Sequence, residues 1–251
     1  MRETDFVSGF ARGLKVIEAF GETTPRLSIS DVAKSTGLDR AAARRCLLTL
    51  AELGYADYDG KFFVLTPRIL RLGHAYLAAT PLPRIVQPFL EKLSAATGES
   101  ASASVLDGTD ILYVARASLK RVMSINLSPG TRLPAYCSSM GRVLLAGMTP
   151  NAARDVLERS ELRRNTPHTL HEIGPLMDEI GRVAKQGYAV IDEELEIGLR
   201  SIGVPLVNGR GETVAAINIG AQAARVSVTE MIETYLPLMR GIREELRPLL
   251  G

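Results

Sequence analysis

Apolar side chains recur at helical spacing through the first fifty residues of this chain, and a mixture of helical and alternating stretches follows. Phe10, Leu14, Ile17 and Phe20 fall on one face of a helix predicted over 8–20. Ser28 precedes Ile29-Ser30-Asp31, a capping box with Asp where Glu or Gln is usual. The helix it opens presents Ile29, Val32 and Ala33 on one side and ends at Gly37, a residue free to take the positive φ of a sharp turn. Asp39 is a candidate N-cap for the next helix, which runs to about Leu53 and stops at Gly54. β-favouring runs over 55–58 and 61–65 flank Asp59-Gly60, a hairpin signal. Three helices followed by a hairpin predict a winged helix-turn-helix over 1–66, mostly α with a β-hairpin wing.

Pro67 opens a further helix over 68–79, with Ile69, Leu72 and Tyr76 on one face, and Pro81-Leu82-Pro83 interrupts it. We therefore assign 67–82 as a linker helix and 83–251 as a second domain. In that domain a helix over 84–96 precedes a hairpin, strands 100–106 and 111–116 around Asp107-Gly108-Thr109-Asp110. A strand is predicted over 122–127, ended by Ser128-Pro129-Gly130. Helices follow over 140–146, 150–159 and 173–186, then strands over 188–192, 200–207 and 213–219. A terminal helix over 228–250, irregular at Pro237, places Met231, Leu236, Met239, Ile242 and Leu246 against the sheet. Hairpins with helices interspersed favour an α+β domain over a doubly wound parallel sheet.

Composition adds limits. The 251 residues are 46% hydrophobic and 23% charged, the balance of an ordinary globular chain. No window approaches the ~18 uninterrupted apolar residues of a membrane span, and no apolar stretch with a cleavage site follows Met1-Arg2-Glu3-Thr4-Asp5. Cys46 and Cys137 have no paired spacing, so the cytoplasm is the expected address. Net charge is only +2: residues 1–80 hold 11 Lys/Arg against 9 Asp/Glu, and residues 81–251 hold 19 against 19. Nucleic-acid binding has to be read from local arrangement, because global charge does not suggest it.

That arrangement is present in the first domain. With Ile29 first in a helix-turn-helix, Ala33 falls where the two helices touch, Gly37 at the turn, and Val32, Leu38, Ala43 and Cys46 in the motif's core. If Ala43, Cys46, Leu47 and Leu50 face inward, Arg40, Ala41, Ala42 and Arg44 face outward at the end of a recognition helix that enters the major groove. Arginine pairs bidentately with guanine, and small alanines let a helix sit deep against thymine methyls. Arg45 is expected to lean towards backbone phosphates, Lys61 to reach them from the wing tip, and Ser28 and Asp39 to sit at helix starts whose amides can hold a phosphate. The alternative for the arginines is a solvated helix face.

The chain resembles the IclR-type transcriptional regulators over nearly its whole length. The resemblance runs through 30–38 (Ser30 to Leu38), 50–55, 129–134, 141–146 and 194–201. Residues 134–142, 163–169 and 199–202 are similar to the PcaR, PcaU and PobR branch. That resemblance implies a GAF-like sensor domain, a homodimer or dimer of dimers on double-stranded operator DNA, and control by a small carboxylate effector. The branch implies protocatechuate, 4-hydroxybenzoate or β-ketoadipate, and regulation of aromatic-compound catabolism. It implies an effector pocket lined by Val122, Leu133, Ser139, Met140, Leu199, Ser201, Asn218 and Gly220, with Asp192 beside a further pocket position, here Ile191. Met140, bulky and adaptable, suits a ring more than a two-carbon acid.

Read from the residues themselves, a carboxylate effector needs a cation or amide donors, and a ring needs apolar walls. Arg116 and Arg200 sit in apolar strands, where each either meets an effector or forms an internal salt bridge; Asp192-Glu193-Glu194 offers Arg200 a partner. Tyr136, Ser138 and Ser139 either hydrogen-bond a ligand or, for the serines, cap the helix at Met140.

Other chemistry finds no support. His168 and His171 have no third ligand nearby, so no metal is expected, and no cofactor motif occurs. No Gly-x-Ser-x-Gly elbow is present, and Glu193, Glu194 and Glu196 read as a solvated or arginine-bridged loop. Two rivals to a ligand-controlled regulator remain: a small-molecule enzyme carrying a helix-turn-helix-like domain, and a structural DNA-binding protein without an effector.

Overall fold

A computed structural model describes residues 5–21, 23–118 and 127–251, with the side chains of 74–78 left aside. The chain divides into two compact units, Met1–Thr80 and Pro81–Gly251. The strand predicted over 122–127 lies, but for Leu127, outside the described residues.

The first unit holds α1 (Ser8–Glu18), β1 (Arg26–Leu27), α2 (Ile29–Thr36), α3 (Arg40–Glu52), β2 (Ala56–Tyr58), β3 (Phe63–Leu65), a 3-10 turn at Pro67–Ile69 and α4 (Leu70–Ala79). Its core is Val16, Val32, Ala43, Leu47, Leu50 and Phe63. The expected inner face of α1 is only partly right. Ile17 and Phe20 pack against the core, but Phe10 is 68% and Leu14 42% exposed, and Val16 is the fully buried residue. Phe10 and Leu14 instead rim an apolar groove with Leu53 and Leu72.

The three strands pair antiparallel in the order β1-β3-β2. Two-residue β1 carries no pattern of its own and exists through its long-range partners, Arg26 opposite Val64 and Leu27 opposite Phe63. The wing turn is wider than a two-residue Asp-Gly turn. Tyr58 pairs with Phe63, leaving Asp59–Phe62 as the loop, because Asp59 Oδ1 accepts from the backbone amides of Lys61 and Phe62 at 2.9 and 2.7 Å.

The second unit opens with α5 (Leu82–Thr97), Pro83 in its first turn. Then come β4 (Ser100–Asp107), β5 (Asp110–Ala117), β6 (Arg132–Pro134), α6 (Ser139–Ala146), α7 (Pro150–Arg159), α8 (Ile173–Gln186), β7 (Ala189–Asp192), β8 (Leu199–Val207), β9 (Thr213–Gln222), α9 (Val228–Glu230) and α10 (Leu236–Leu246). The strands form one antiparallel sheet in the order β6-β5-β4-β9-β8-β7. Val86, Leu90 and Leu93 of α5 share one core with Met239, Ile242 and Leu246 of α10. Val143, Val156, Leu176 and Ile180, from α6, α7 and α8, fill a second core that includes Ile111 and Tyr113 of β5. The sheet is thus covered on both sides, an α+β sandwich. The irregularity expected at Pro237 is a π-helical turn over Met231–Tyr235 joining α9 to α10, which absorbs the missing proline amide.

Candidate DNA interface and ligand cleft

In the first unit, hydrogen bonds set both helix starts of the α2–α3 pair. Ser28 accepts from the Asp31 amide at 3.3 Å, and Asp31 Oδ2 accepts from the Ser28 amide at 2.9 Å, closing the capping box. Asp39 Oδ1 accepts from the Ala42 amide at 2.8 Å. These bonds hold the carboxyls of Asp31 and Asp39 below the usual 3.8, through the Ser28 side chain and the Ala42 amide respectively. Between the helices Gly37 has φ 70, the left-handed conformation that lets α3 leave α2 at a sharp angle.

Arg40, Ala41, Arg44 and Arg45 are exposed on α3, and Lys61 is exposed on the wing. Ala42 is not: it is 2% exposed and faces the α1 side of the helix rather than a groove of DNA. The motif's own core positions say nothing of α1, and α1 occupies that face. The wing is pre-shaped. Tyr58 stacks on Phe63 with ring centroids 4.3 Å apart, Arg26 bonds Asp59 at 3.0 Å, and Arg26 and Lys61 lie 4.3 and 5.0 Å from the Phe62 ring. A guanidinium and an ammonium are thereby held at the wing tip by an aromatic ring.

The second unit contains a cleft on the α6 side of the sheet, at its β5-β4-β9-β8 strands. Among its walls are Tyr113, Arg116, Leu133, Ser138, Ser139, Leu199, Ser201 and Asn218. Close approach of helix and sheet builds it. A Cβ on Gly203 would stand 2.8 Å from the Ser139 carbonyl carbon, so glycine is what lets the first turn of α6 rest on β8. Ser138 caps that turn, accepting from the Gly141 amide at 3.2 Å, and Ser201 donates to Ser139 at 2.9 Å.

Ser102 on β4 is opposite both Arg116 on β5 and Asn218 on β9, which sets the three side chains in a row across the sheet. Arg116 donates to Ser102 Oγ at 3.0 Å, and no carboxylate pairs with it among the described residues. Burial pulls its pKa down, as expected of a cation in an apolar strand without a counter-ion. Asn218 Oδ1 is buried and has no hydrogen-bond partner among the described residues. Cys137 also lines the cleft, and burial pushes its thiol up to about 12. The described walls leave about 30 Å³ of free interior, room for a water or two.

Of the residues expected here, Arg116, Leu133, Ser138, Ser139, Leu199, Ser201, Asn218 and Gly220 line the cleft; Val122 lies outside the described residues. Four others are placed elsewhere. Arg200 bonds Asp192 at 2.7 Å and the carbonyls of Ala223 and Val226, so the two residues satisfy each other away from the cleft. Tyr136 donates to the Arg163 carbonyl at 2.7 Å and accepts from Asn165. Met140 is fully buried, its sulfur taking a bond from Ser104 at 3.2 Å. Tyr113, Leu127, Ile191 and Leu195 join the walls.

Among the described residues no group of three or more His, Cys, Asp or Glu could hold a metal ion, and no helix is long and apolar enough to cross a membrane.

Comparison with known proteins adds to this geometry. Residues 10–60 match the IclR helix-turn-helix domain, and residues 74–246 match the family described as bacterial transcriptional regulator IclR C-terminal. The chain is 45% identical to the Pca regulon regulatory protein of Pseudomonas putida, over 97% of this chain and 84% of that one. It is 39% identical to the p-hydroxybenzoate hydroxylase transcriptional activator of Acinetobacter baylyi, over 100% of this chain and 94% of that one. The crystallised inducer-binding domain of an Acinetobacter PobR double mutant, in complex with 3-hydroxybenzoic acid, superposes with a TM-score of 0.64 at 35% identity, over 67% of this chain and 98% of that one.

Proposed function

The chain belongs to the IclR family of bacterial transcriptional regulators, and from that premise we propose that α3 reads its operator and that a hydroxylated aromatic acid in the sheet cleft controls it. It is a regulator, not an enzyme. We assign the DNA face to Arg40, Ala41, Arg44 and Arg45, with Lys61 on the wing, and omit Ala42 because it is buried. Ser28 and Asp39 serve that face indirectly, as caps that fix the helix starts. As a homodimer or dimer of dimers the protein would meet a pseudo-palindromic operator, in the cytoplasm where the DNA lies.

The observation that carries the effector half is Arg116, a half-buried guanidinium on the cleft wall whose one side-chain partner among the described residues is a serine hydroxyl. A cation so placed invites an anion, and a carboxylate presents two oxygens to it. Asn218 lies two strands away, about 10 Å at the usual strand spacing, a span comparable to that of a benzene ring with groups at opposite ends. Its unpartnered Oδ1 calls for a donor, which a ring hydroxyl supplies. Leu133, Leu195, Leu199 and Ile191 provide the apolar walls. Two of the relatives are named for the pca and p-hydroxybenzoate systems, and the inducer-binding relative was crystallised with a hydroxybenzoate, which supports the same class.

Thermal-shift measurements on the intact protein test this. With 4-hydroxybenzoate, 3-hydroxybenzoate, protocatechuate, β-ketoadipate and acetate as separate probes, a hydroxylated aromatic acid should raise the melting temperature, by linkage to the folded state. A shift with β-ketoadipate alone would replace the aromatic class with a keto dicarboxylate. No shift with any acid would remove the effector and leave a DNA-binding protein without one. Each acid should be recovered chemically unchanged; turnover would favour an enzyme.

A further inference from the structure

Residues 113 and 116 are three apart, and strict strand alternation sends such a pair to opposite faces of a sheet. A β-bulge reverses this. The β4–β5 pairing runs Ala103 opposite Ala115 and then Ser104 opposite Tyr113, so Val114 is an extra residue without a partner. Val114, Ala115 and Ala117 pack into the core on the α5 side. Tyr113 and Arg116, on either side of the bulge, both reach the cleft.

Tyr113 is 3% exposed, and among the described residues its hydroxyl makes no hydrogen bond. Burial pushes that hydroxyl up to about 12, so at neutral pH it is a proton donor. Tyr113 and Arg116 both line the cleft, and the Arg116 charge acts on the Tyr113 hydroxyl. A donor on the wall of a cleft, with no acceptor among the described residues, is open to a ligand that supplies one. The cleft already presents a cation, and the anion that suits the cation has oxygens to spare.

We propose that Tyr113 is a specificity-determining residue of the effector site, donating a hydrogen bond from its phenol to the carboxylate that Arg116 neutralises. The bulge at Val114 is the device that brings this second donor to the first. The inference rests on the cleft being a carboxylate site and deepens that reading: the acid end of the ligand is read by a charged fork and a neutral hydroxyl together, so neutral ring compounds of the same size bind more weakly than the acid.

The intact Tyr113→Phe variant tests it by calorimetric titration, alongside the wild type, with whichever of the acids above the wild type binds and with 4-hydroxybenzyl alcohol as the uncharged comparison. The melting temperature without ligand should stay equal or rise, because the hydroxyl removed has no partner among the described residues. Affinity for the acid should fall about tenfold, with a smaller loss for the alcohol. Equal acid affinity in variant and wild type would overturn the role of Tyr113 while leaving the cleft as the effector site. A lowered unliganded melting temperature with equal losses for acid and alcohol would also overturn it, since Tyr113 would then only pack. Absence of acid binding by the wild type would overturn the underlying carboxylate reading, and this inference with it.

Discussion

Arg142 and Glu194 form a buried bidentate ion pair, with Nη1 to Oε1 at 2.8 Å and Nη2 to Oε2 at 2.6 Å. Arg142 belongs to α6 and Glu194 to the β7–β8 connection, so the pair ties the helix that floors the cleft to the loop that carries Leu195 into its wall. Every remaining polar atom is occupied. Arg142 Nε donates to the Tyr136 carbonyl at 3.0 Å, the Leu170 amide donates to Glu194 Oε2 at 3.0 Å, and Thr169 donates to the Glu194 carbonyl at 2.6 Å.

Removing Glu194 leaves the buried Arg142 guanidinium with only the more distant carboxylate of Glu179, 3.8 Å away. Glu194→Leu is therefore expected to destabilise the second unit by about 3–5 kcal/mol, the usual cost of breaking a buried pair. Urea unfolding should show this as a lowered midpoint. Arg142→Lys should recover little, since an ammonium cannot reproduce the two-pronged contact. A midpoint within error of wild type in Glu194→Leu would show that the pair contributes nothing to the fold.

The arginines of α3 should divide by function. Arg40→Ala or Arg44→Ala is expected to cost about 1–3 kcal/mol of discrimination between the operator and a mismatched site. Arg45→Ala should weaken both sites alike and reduce the salt slope of binding by about one, as loss of a phosphate contact does. Anisotropy titrations on DNA selected from a random pool would separate these outcomes. Unchanged discrimination in both Arg40 and Arg44 variants would move base reading off this helix.

Much of the first unit could be read from local signals. Ser28 and Asp31, Gly37, and Asp39 act within four residues of themselves, so their roles as capping box, turn and cap are visible without knowing what packs where. Ala42 departs from its expected outward face for the complementary reason: its burial is imposed by α1, about thirty residues away in sequence. In the second unit, the serine alternatives resolved locally, with Ser138 capping α6, and Arg200 found the acidic neighbour, Asp192, that the sequence offered. Tyr113 could not be found that way. Its direction depends on a bulge that exists only in the pairing of β4 with β5. Tyr136 and Met140 stand next to cleft residues in sequence, but hydrogen bonds to the 163–165 loop and to Ser104 turn them away.

Close packing at Gly203 should be intolerant of a methyl group. In Gly203→Ala the new carbon would meet backbone atoms of Ser139 and Met140, which cannot rotate away. The expected cost is about 1–3 kcal/mol, as for other overpacked sites, together with weaker effector binding because the Ser139 turn shifts off the sheet. Chemical denaturation and calorimetric titration would read the two effects separately. Stability and affinity both equal to wild type would mean that α6 has room the geometry does not indicate.

Acid should loosen the DNA-binding unit in a defined window. Asp31, Asp39 and Asp59 are held below the usual 3.8, by the Ser28 side chain, the Ala42 amide and the Phe62 amide respectively. A carboxyl whose folded pKa lies below its unfolded one stabilises the fold above the unfolded value. That contribution is lost as pH falls through the folded value. Protection of α2, α3 and the wing should therefore be flat down to about pH 5 and decline below 3.8. Hydrogen exchange on the intact chain would resolve this by segment. Asp39→Asn, which keeps a capping oxygen without the charge, should flatten the decline at the start of α3.

Cys137 offers a chemical probe of the cleft. Burial pushes its thiol up to about 12, so almost none of it is thiolate at neutral pH, and it is fully buried among the cleft walls. It should resist iodoacetamide in the native protein and react once urea unfolds the second unit. Cys46, half-buried on α3, serves as the internal comparison within the same digest. The labelling rate at sub-denaturing urea, with and without an aromatic acid, reads how binding in the cleft protects Cys137. Ligand that binds the folded state should slow the reaction, since labelling then requires unfolding against the binding free energy. Rapid native labelling of Cys137 without ligand would show that the cleft stands open.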